Sequence, residues 1–325
     1  MKTSQTFSRS VTDPIEMNRL GQTPLITSLV LGMPQSRVKP SQLILPRITV
    51  PSINFKYPIF GSEHLRRRDT RRALRAQINR GSFTVTYDTA KLTRYTFADE
   101  ADIAEFSDAL PTIGLREKKA AFGRIMVEND IEATAATLLA TATTYPVGNR
   151  LALGAGDEWG ASGNVYDDIH TVAKAISDAT AGLIAPAQLS AYMPTATIEA
   201  AYNDAEFRAA SVYGGTARAN KSKLVEYLGI KEIITGNPIT ETDAGVRSPL
   251  YGDITILFFN DSNSGDLIQD FGGMNFGASF SLNSGVALEP FYDPDHTTWV
   301  FPWEDWVEHK ITNSSMGGII TNCAP

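Results

Sequence analysis

Seven arginines crowd one short stretch: Arg66, Arg67, Arg68, Arg71, Arg72, Arg75 and Arg80. Guanidinium groups neutralise phosphates, and such binding weakens steeply with salt. They also pair with carboxylates in a bidentate fork. No aromatic side chain lies between Leu65 and Asn79 to stack on bases, which weighs against single-stranded nucleic acid. Contact with acidic surface on a neighbouring subunit is the preferred expectation. A solvated face and a nucleic-acid patch are the alternatives.

The other candidate constellations have simpler readings. Gly154, Gly156 and Gly160 look like a phosphate loop, but the third glycine is misplaced and no Lys-Ser follows. With no strand expected before it, the stretch reads as a connecting loop. Asp293, Asp295 and His296 surround Pro294, and Asp-Pro-Asp is turn chemistry before it is a metal site. His64, His170, His296 and His309 include no pair at the i, i+4 spacing of a helical zinc site. Asp167 and Asp168 open a helix, where negative charge offsets the helix dipole. No Gly-x-Ser-x-Gly elbow appears. The one cysteine, Cys323, can form no internal disulfide or multi-thiolate site, and a reducing compartment is expected. No catalytic, metal or cofactor site is therefore expected, and the chain does not read as an enzyme.

The elements that would position these residues follow from pattern. Residues 1–45 show little periodicity, contain Pro14, Pro24, Pro34 and Pro40, and read as an extended arm. Such a polar arm frays unless docked, which points to a partner and to a retained amino terminus. Residues 46–96 read as a long hairpin, out along LPRITVPSINF and back along SFTVTYDTAKLTRYTF, with alternation at Phe83, Val85 and Tyr87. Each limb would reach roughly 40–50 Å, with the arginines near the tip. Residues 113–143 predict one helix of about 46 Å. Its apolar stripe is Leu115, Phe122, Ile125, Met126, Ala133, Ala136 and Leu139, with Glu117, Lys118, Glu128 and Glu132 opposite. Gly123 should weaken it and Pro146 should end it.

Residues 159–236 carry more local signals. Ile169, Val172, Ala173, Ile176 and Ala179 make one apolar helical stripe. Ala185-Pro186-Ala187 breaks it, and Gln188–Met193 reads as a strand. Pro194 and Thr195 start a second helix, carrying Ile198, Ala201 and Tyr202. A third, Lys221–Leu228, stops at Gly229 and leads to a strand at Ile230–Ile234. A further strand is expected over 251–259, loops with short strands over 260–285, and strands around Trp299, Phe301 and Trp303 that return to the long helix.

Hydrophobic content of 42% and charged content of 20% suit a globular chain of 325 residues. No apolar run approaches the roughly 20 residues of a membrane helix, and MKTSQTFSRSVTDPIEMNRL lacks the core of a secretory signal. The net charge of −7 is unevenly spread. Residues 1–97 hold 16 Lys and Arg against 5 Asp and Glu, whereas residues 98–325 hold 13 against 31. A basic front can bind nucleic acid or lie on the acidic body of an identical copy.

The block from Trp159 through YDDIHTVAKAISDATAGLIAPAQLSAYMPTATIEAAYNDAEFRAA to KSKLVEYLGIKEIITG resembles the axial domain of tailed-phage major capsid proteins. ITVPSINFKYPIF, TRYTFADEADIAEFSDAL and LYGDITILFF are similar to that family's extended loop, its return strand and a later strand. The resemblance covers roughly residues 46–325 and rests on the order of many weak signals. It implies an α+β, Hong Kong 97-type capsid fold. Its parts would be an arm (1–45), an extended hairpin loop (46–96), a peripheral domain with a spine helix (97–160), an axial domain (161–285) and peripheral return strands (286–325). The implied function is self-assembly through pentamers and hexamers into an icosahedral shell around double-stranded DNA, in a virion assembled in the host cytoplasm. Scaffolding, portal and decoration proteins are possible partners, and no membrane or cofactor is implied. An encapsulin-like nanocompartment shell shares the fold, and a DNA-binding protein using the arginines is the more distant alternative.

Overall fold

The computed structural model describes residues 39–59, 71, 86–102, 115–160, 162–212, 220–241, 245–260 and 275–325. Most of the arm expected over 1–45 therefore lies outside the described residues, as do the hairpin tip, Phe83 and Val85.

Two sheets and one long helix organise the rest. The first sheet is built on β14 (Thr298–Ile311), which pairs antiparallel with β4 (Thr93–Asp102), β11 (Gly277–Ser281), β12 (Val286–Ala287) and β13 (Phe291–Asp293). A short β1 (Arg47–Thr49) runs parallel to β11. The second sheet has the order β5 (Arg150–Ala152), β15 (Gly317–Thr321), β10 (Ile254–Phe258), β6 (Ser190–Met193), β7 (Glu232–Thr235). Every residue of β6 and β10 is buried, as a sheet covered on both faces requires. Two hairpins stand apart: β2 (Asn54–Ile59) with β3 (Thr86–Lys91), and β8 (Ile239–Glu241) with β9 (Arg247–Pro249).

The long helix, α2, spans Leu115–Ala140, about 39 Å at 1.5 Å per residue, and packs across β4 and β14. Its buried face differs from the expected stripe. Ala120, Val127, Glu132, Ala135, Ala136 and Leu139 are buried, whereas Phe122 and Ile125 are 44% and 40% exposed. Small residues decide this. A Cβ at Gly123 would lie 3.3 Å from both the Phe97 carbonyl oxygen and Trp303 Cβ, so the helix backbone meets the sheet there. The glycine expected to weaken the helix lets its backbone pack closely on the sheet.

Between β6 and β7 the chain crosses over through helices, as a parallel pair requires. Before that, α3 (Val165–Ala179) starts at Asn164, whose side chain accepts from the Tyr166 and Asp167 amides. Its buried residues, Val165, Ile169, Val172, Ala173 and Ile176, cover the second sheet, and all but Val165 belong to the predicted stripe. The next predicted helix is α4 (Thr195–Asn203), and α5 (Ala205–Val212) follows it. Asp204 separates them because its carboxylate accepts from the Phe207 amide at 2.8 Å and lies 3.3 Å from the Val165 amide. One buried carboxylate thus caps both α5 and α3. The crossover closes with α6 (Lys221–Leu228), which ends at Gly229 in the left-handed region, φ 62°, as expected.

Strands close together in the chain enter different sheets. β5 lies within 97–160 yet pairs β15, and β11 lies within 161–285 yet joins β14. The tail 286–325 divides: β14 packs on α2, and β15 pairs β10. β15 begins with Gly317 and Gly318 because its faces are occupied. A Cβ at Gly317 would sit 2.2 Å from the Phe276 ring, and one at Gly318 would sit 2.4 Å from Val172.

Candidate inter-subunit contact sites

The segment where the arm meets the body is held by buried charge. A short helix, α1 (Pro40–Ile44), starts at proline and places Ile44 and Leu45 in the main core. Glu132 of α2 accepts from the Ser41 amide at 3.1 Å, from the Ser41 hydroxyl, and from the Tyr251 hydroxyl at 2.7 Å. The carboxylate is 2% exposed and joins three remote segments. One turn earlier, Glu128 binds both the Lys39 ammonium and Arg124 Nε, the latter at 2.6 Å. Arg47 then grips Asp305 through Nη2, at 2.5 and 2.6 Å from the two carboxylate oxygens. None of these partners was apparent from sequence, where Glu128 and Glu132 read as solvent-facing. A Glu facing the same way as Ala135, Ala136 and Leu139 was the available signal.

The titration behaviour follows from this packing. Burial pulls the Lys39 ammonium below its ordinary value, more than the carboxylates of Glu128 and Glu132 restore. Burial alone would raise Glu128, but two cations, Lys39 and Arg124, outweigh it and hold the carboxyl low. Glu128 therefore contributes stability above the ordinary glutamate value, and loses it as pH falls through its lowered one. Urea midpoints measured from neutral to acid pH should fall for the parent below that ordinary value. The fall should be shallower for Glu128→Gln; identical slopes would show that Glu128 carries no such linkage. Burial raises Asp305 despite Arg47, which works in the opposite direction, so the comparison must be with the single variant.

The hairpin is anchored at its base. Asn54 pairs Lys91 and Ile59 pairs Thr86, as the out-and-back reading requires. Val50, Tyr57, Ala90 and Leu92 pack on Ala278 and Phe280 in a small core of their own. The Phe55 and Phe280 rings lie 4.7 Å apart. Tyr57 donates to Asp88 at 3.0 Å, and burial with that carboxylate pushes the phenol up to about 12. The strand pair is thus fixed to β11 at its base.

Among the described residues, the remaining constellations are structural contacts. His309 lies 2.8 Å from the Ser279 hydroxyl and 3.2 Å from the Ile131 carbonyl, a buried contact between β14, β11 and α2 with no acid behind it. Asp293 accepts from the Asp295 amide at 3.0 Å and lies 2.8 Å from His296 Nδ1, as turn chemistry predicts. The hydrogen bond to His296 holds Asp293 low, and the same contact raises the histidine. A strand, β5, does precede the glycine loop, contrary to expectation. The Gly156 amide, however, already donates to Glu158 at 2.7 Å. Asp168 accepts from Trp159 Nε1 at 2.8 Å at the start of α3. Cys323 is buried, and burial pushes its thiol up to about 12. Among the described residues, no three His, Cys, Asp or Glu side chains group as metal ligands. No helix among them is long and apolar enough to cross a membrane.

No protein-family model matches the sequence, and no curated protein sequence matches it. Solved structures do. A phage-related protein from Bordetella bronchiseptica superposes with a TM-score of 0.71 at 17% identity, over 93% of this chain and 97% of that one. The capsid structure of the cyanophage P-SCSP1u gives 0.56 at 11% identity, over 89% and 90%. The mature capsid of bacteriophage PhiM1 gives 0.55 at 9% identity, over 90% and 89%. The chain has the Hong Kong 97-type capsid fold.

Arg71 is exposed. Arg66, Arg67, Arg68, Arg72, Arg75 and Arg80 lie outside the described residues, so the structure brings no arginine cluster into view. Two of the apolar residues that α2 leaves exposed, Phe122 and Ile125, belong to the stripe expected to face inward. Phe97 and Phe122 meet edge to face at 6.0 Å, both exposed, beside Ile125. Phe291 and Tyr292 of β13 are exposed as well. Large aromatic groups of this kind are enriched at protein interfaces.

Proposed function

We propose that this chain is a major capsid protein that assembles with itself, through pentamers and hexamers, into an icosahedral shell enclosing double-stranded DNA. The observation that supports it most is the agreement with capsid structures over about nine-tenths of both chains. In this reading α2 is the spine of a peripheral domain, and the helices around the second sheet form the axial domain. The hairpin and arm reach across neighbours. The work is assembly, not catalysis, and the product is the shell of a virion put together in the host cytoplasm. Portal, scaffolding and decoration proteins would be its other partners.

Arg66, Arg67, Arg68, Arg71, Arg72, Arg75 and Arg80 would hold the hairpin tip on acidic surface of the adjacent subunit. Each exposed pair contributes only about 0–1 kcal/mol, but a closed shell repeats it many times. Negative-stain microscopy of the purified protein tests the reading, with closed shells of uniform diameter as the expected result. Monomers under every condition would count against it. Shells holding a cargo enzyme and no DNA would assign it to nanocompartments instead. Replacing Arg67, Arg71 and Arg75 with Glu should spare folding and cut shell yield, and high salt should do the same to the parent. A variant that assembles normally yet packages no DNA would place the arginines on the genome.

A further inference from the structure

His309 of β14 lies where α1, α2 and β11 meet its own strand. Its Nε2 is 3.2 Å from the Ile131 carbonyl oxygen of α2, and its Nδ1 is 2.8 Å from the Ser279 hydroxyl of β11. The same hydroxyl is 3.2 Å from the carbonyl oxygen of Leu45, the residue that caps α1. His309 is 8% exposed and Ser279 6%. Two buried side chains thus connect the arm root to the long helix.

Protons distinguish the two charge states of this series. The Ile131 and Leu45 carbonyls only accept, so the ring and the hydroxyl must supply a proton for each of the three contacts. A neutral imidazole has one N–H and serine one O–H, which leaves one contact without a proton. With the Nε2 proton on Ile131, the hydroxyl can donate to His309 or to Leu45, but not to both. The imidazolium has a second N–H and completes the series. Nε2–H then donates to Ile131, Nδ1–H to Ser279, and the Ser279 hydroxyl to Leu45.

The surroundings set where that proton enters. α1 and β11 carry no ionisable side chain. β1 brings Arg47, which is paired with Asp305 of β14. β14 also brings Glu308 and Lys310, paired with each other at 3.0 Å. α2 brings exposed Asp130, Glu128 with its two cations, and Glu132 with its three neutral donors. Burial holds the ring below the ordinary histidine value; the Ile131 carbonyl and Glu308 oppose this, and Arg47 adds to it. The unfolded chain therefore takes the proton first, and global stability falls as pH drops from the ordinary value through the lowered one. The local contacts respond in the opposite sense, because a contact that favours the charged ring is itself favoured by the charge.

We propose that His309 is a proton-operated latch, whose protonation turns the Ser279 hydroxyl onto Leu45 and ties the arm root, β11, β14 and α2 together. The inference concerns one subunit and does not rest on the shell.

The test uses the full-length protein. Exchange of the imidazole C2 hydrogen, followed by peptide mass, gives a titration midpoint for each histidine. His309 should titrate below the ordinary histidine value while circular dichroism still shows a folded subunit. Ser279→Ala removes the acceptor of the charged ring and should lower that midpoint by about one pH unit, a tenfold loss of proton affinity. An unchanged or raised midpoint would overturn the proposal, as would a ring that stays neutral until the subunit unfolds. Amide exchange over residues 40–47, corrected for the intrinsic rate, gives a second reading. It should slow about threefold or more in the parent between neutral pH and about pH 5, but not in His309→Gln, which cannot take up the proton. Glu128 stays charged over this range, since its carboxyl is held low. An equal change in the two proteins would also overturn the latch. Both readouts work whether or not the protein assembles, so failure of the shell reading would not decide this one.

Discussion

Glu132→Ala should lower the stability of the subunit by about 3 kcal/mol, because it leaves buried hydrogen-bond donors with no acceptor. The Ser41 amide, the Ser41 hydroxyl and the Tyr251 hydroxyl all converge on this one carboxylate. Ser41 is 2% exposed and Tyr251 3% exposed, so water does not readily replace the acceptor. Glu132→Gln keeps the shape. Its amide oxygen can still accept from the Ser41 amide and from Tyr251, and its amide nitrogen can donate to the Ser41 hydroxyl. Most of the loss should therefore be recovered. Urea denaturation of the three proteins, at constant m, measures the difference. Limited proteolysis should show faster cleavage near residue 39 in the alanine variant, because the arm root is released with its anchor. A loss under about 1 kcal/mol would mean that the network is not what holds α1 on α2.

The second large effect concerns α2 itself. Ile125→Pro should cost at least about 3 kcal/mol, since it removes a helix hydrogen bond and clashes with the preceding turn. The damage falls beside Gly123, where the helix backbone meets β4 and β14, so the first sheet loses its cover as well. Phe122→Asp should behave quite differently. The ring is 44% exposed and touches Phe97 edge to face, so the charge stays hydrated. Its cost to folding should stay within about 1 kcal/mol, as for most surface changes. If the exposed face of α2 meets a neighbour, the same variant should still assemble poorly. Circular dichroism melts and light scattering separate the two outcomes. A Phe122→Asp variant that unfolds would show that the ring belongs to the core after all. An Ile125→Pro variant that folds and assembles normally would sink the helix assignment.

The sequence by itself determined the elements whose causes are local. The stripe of α3, the proline before α4 and the Gly229 stop of α6 each lie within a few residues. Their order along the chain was enough to suggest the capsid fold. Tertiary structure alone decided which face of α2 is inside. Phe122 and Ile125 are larger and more apolar than Ala120 and Gly123, yet the small residues face the sheet because β4 and β14 come too close for anything larger. It also decided the fate of Glu132. A glutamate reads as exposed until its donors are known, and these lie 91 and 119 residues away in the chain. Asp204 between α4 and α5 was hidden for a related reason. Its cap on α5 is local, but its burial at the start of α3 depends on a contact 39 residues back. Strand membership was hidden in the same way. β5, β11 and β15 are short, and a strand's neighbours are chosen by pairing across the fold, which no window of sequence contains.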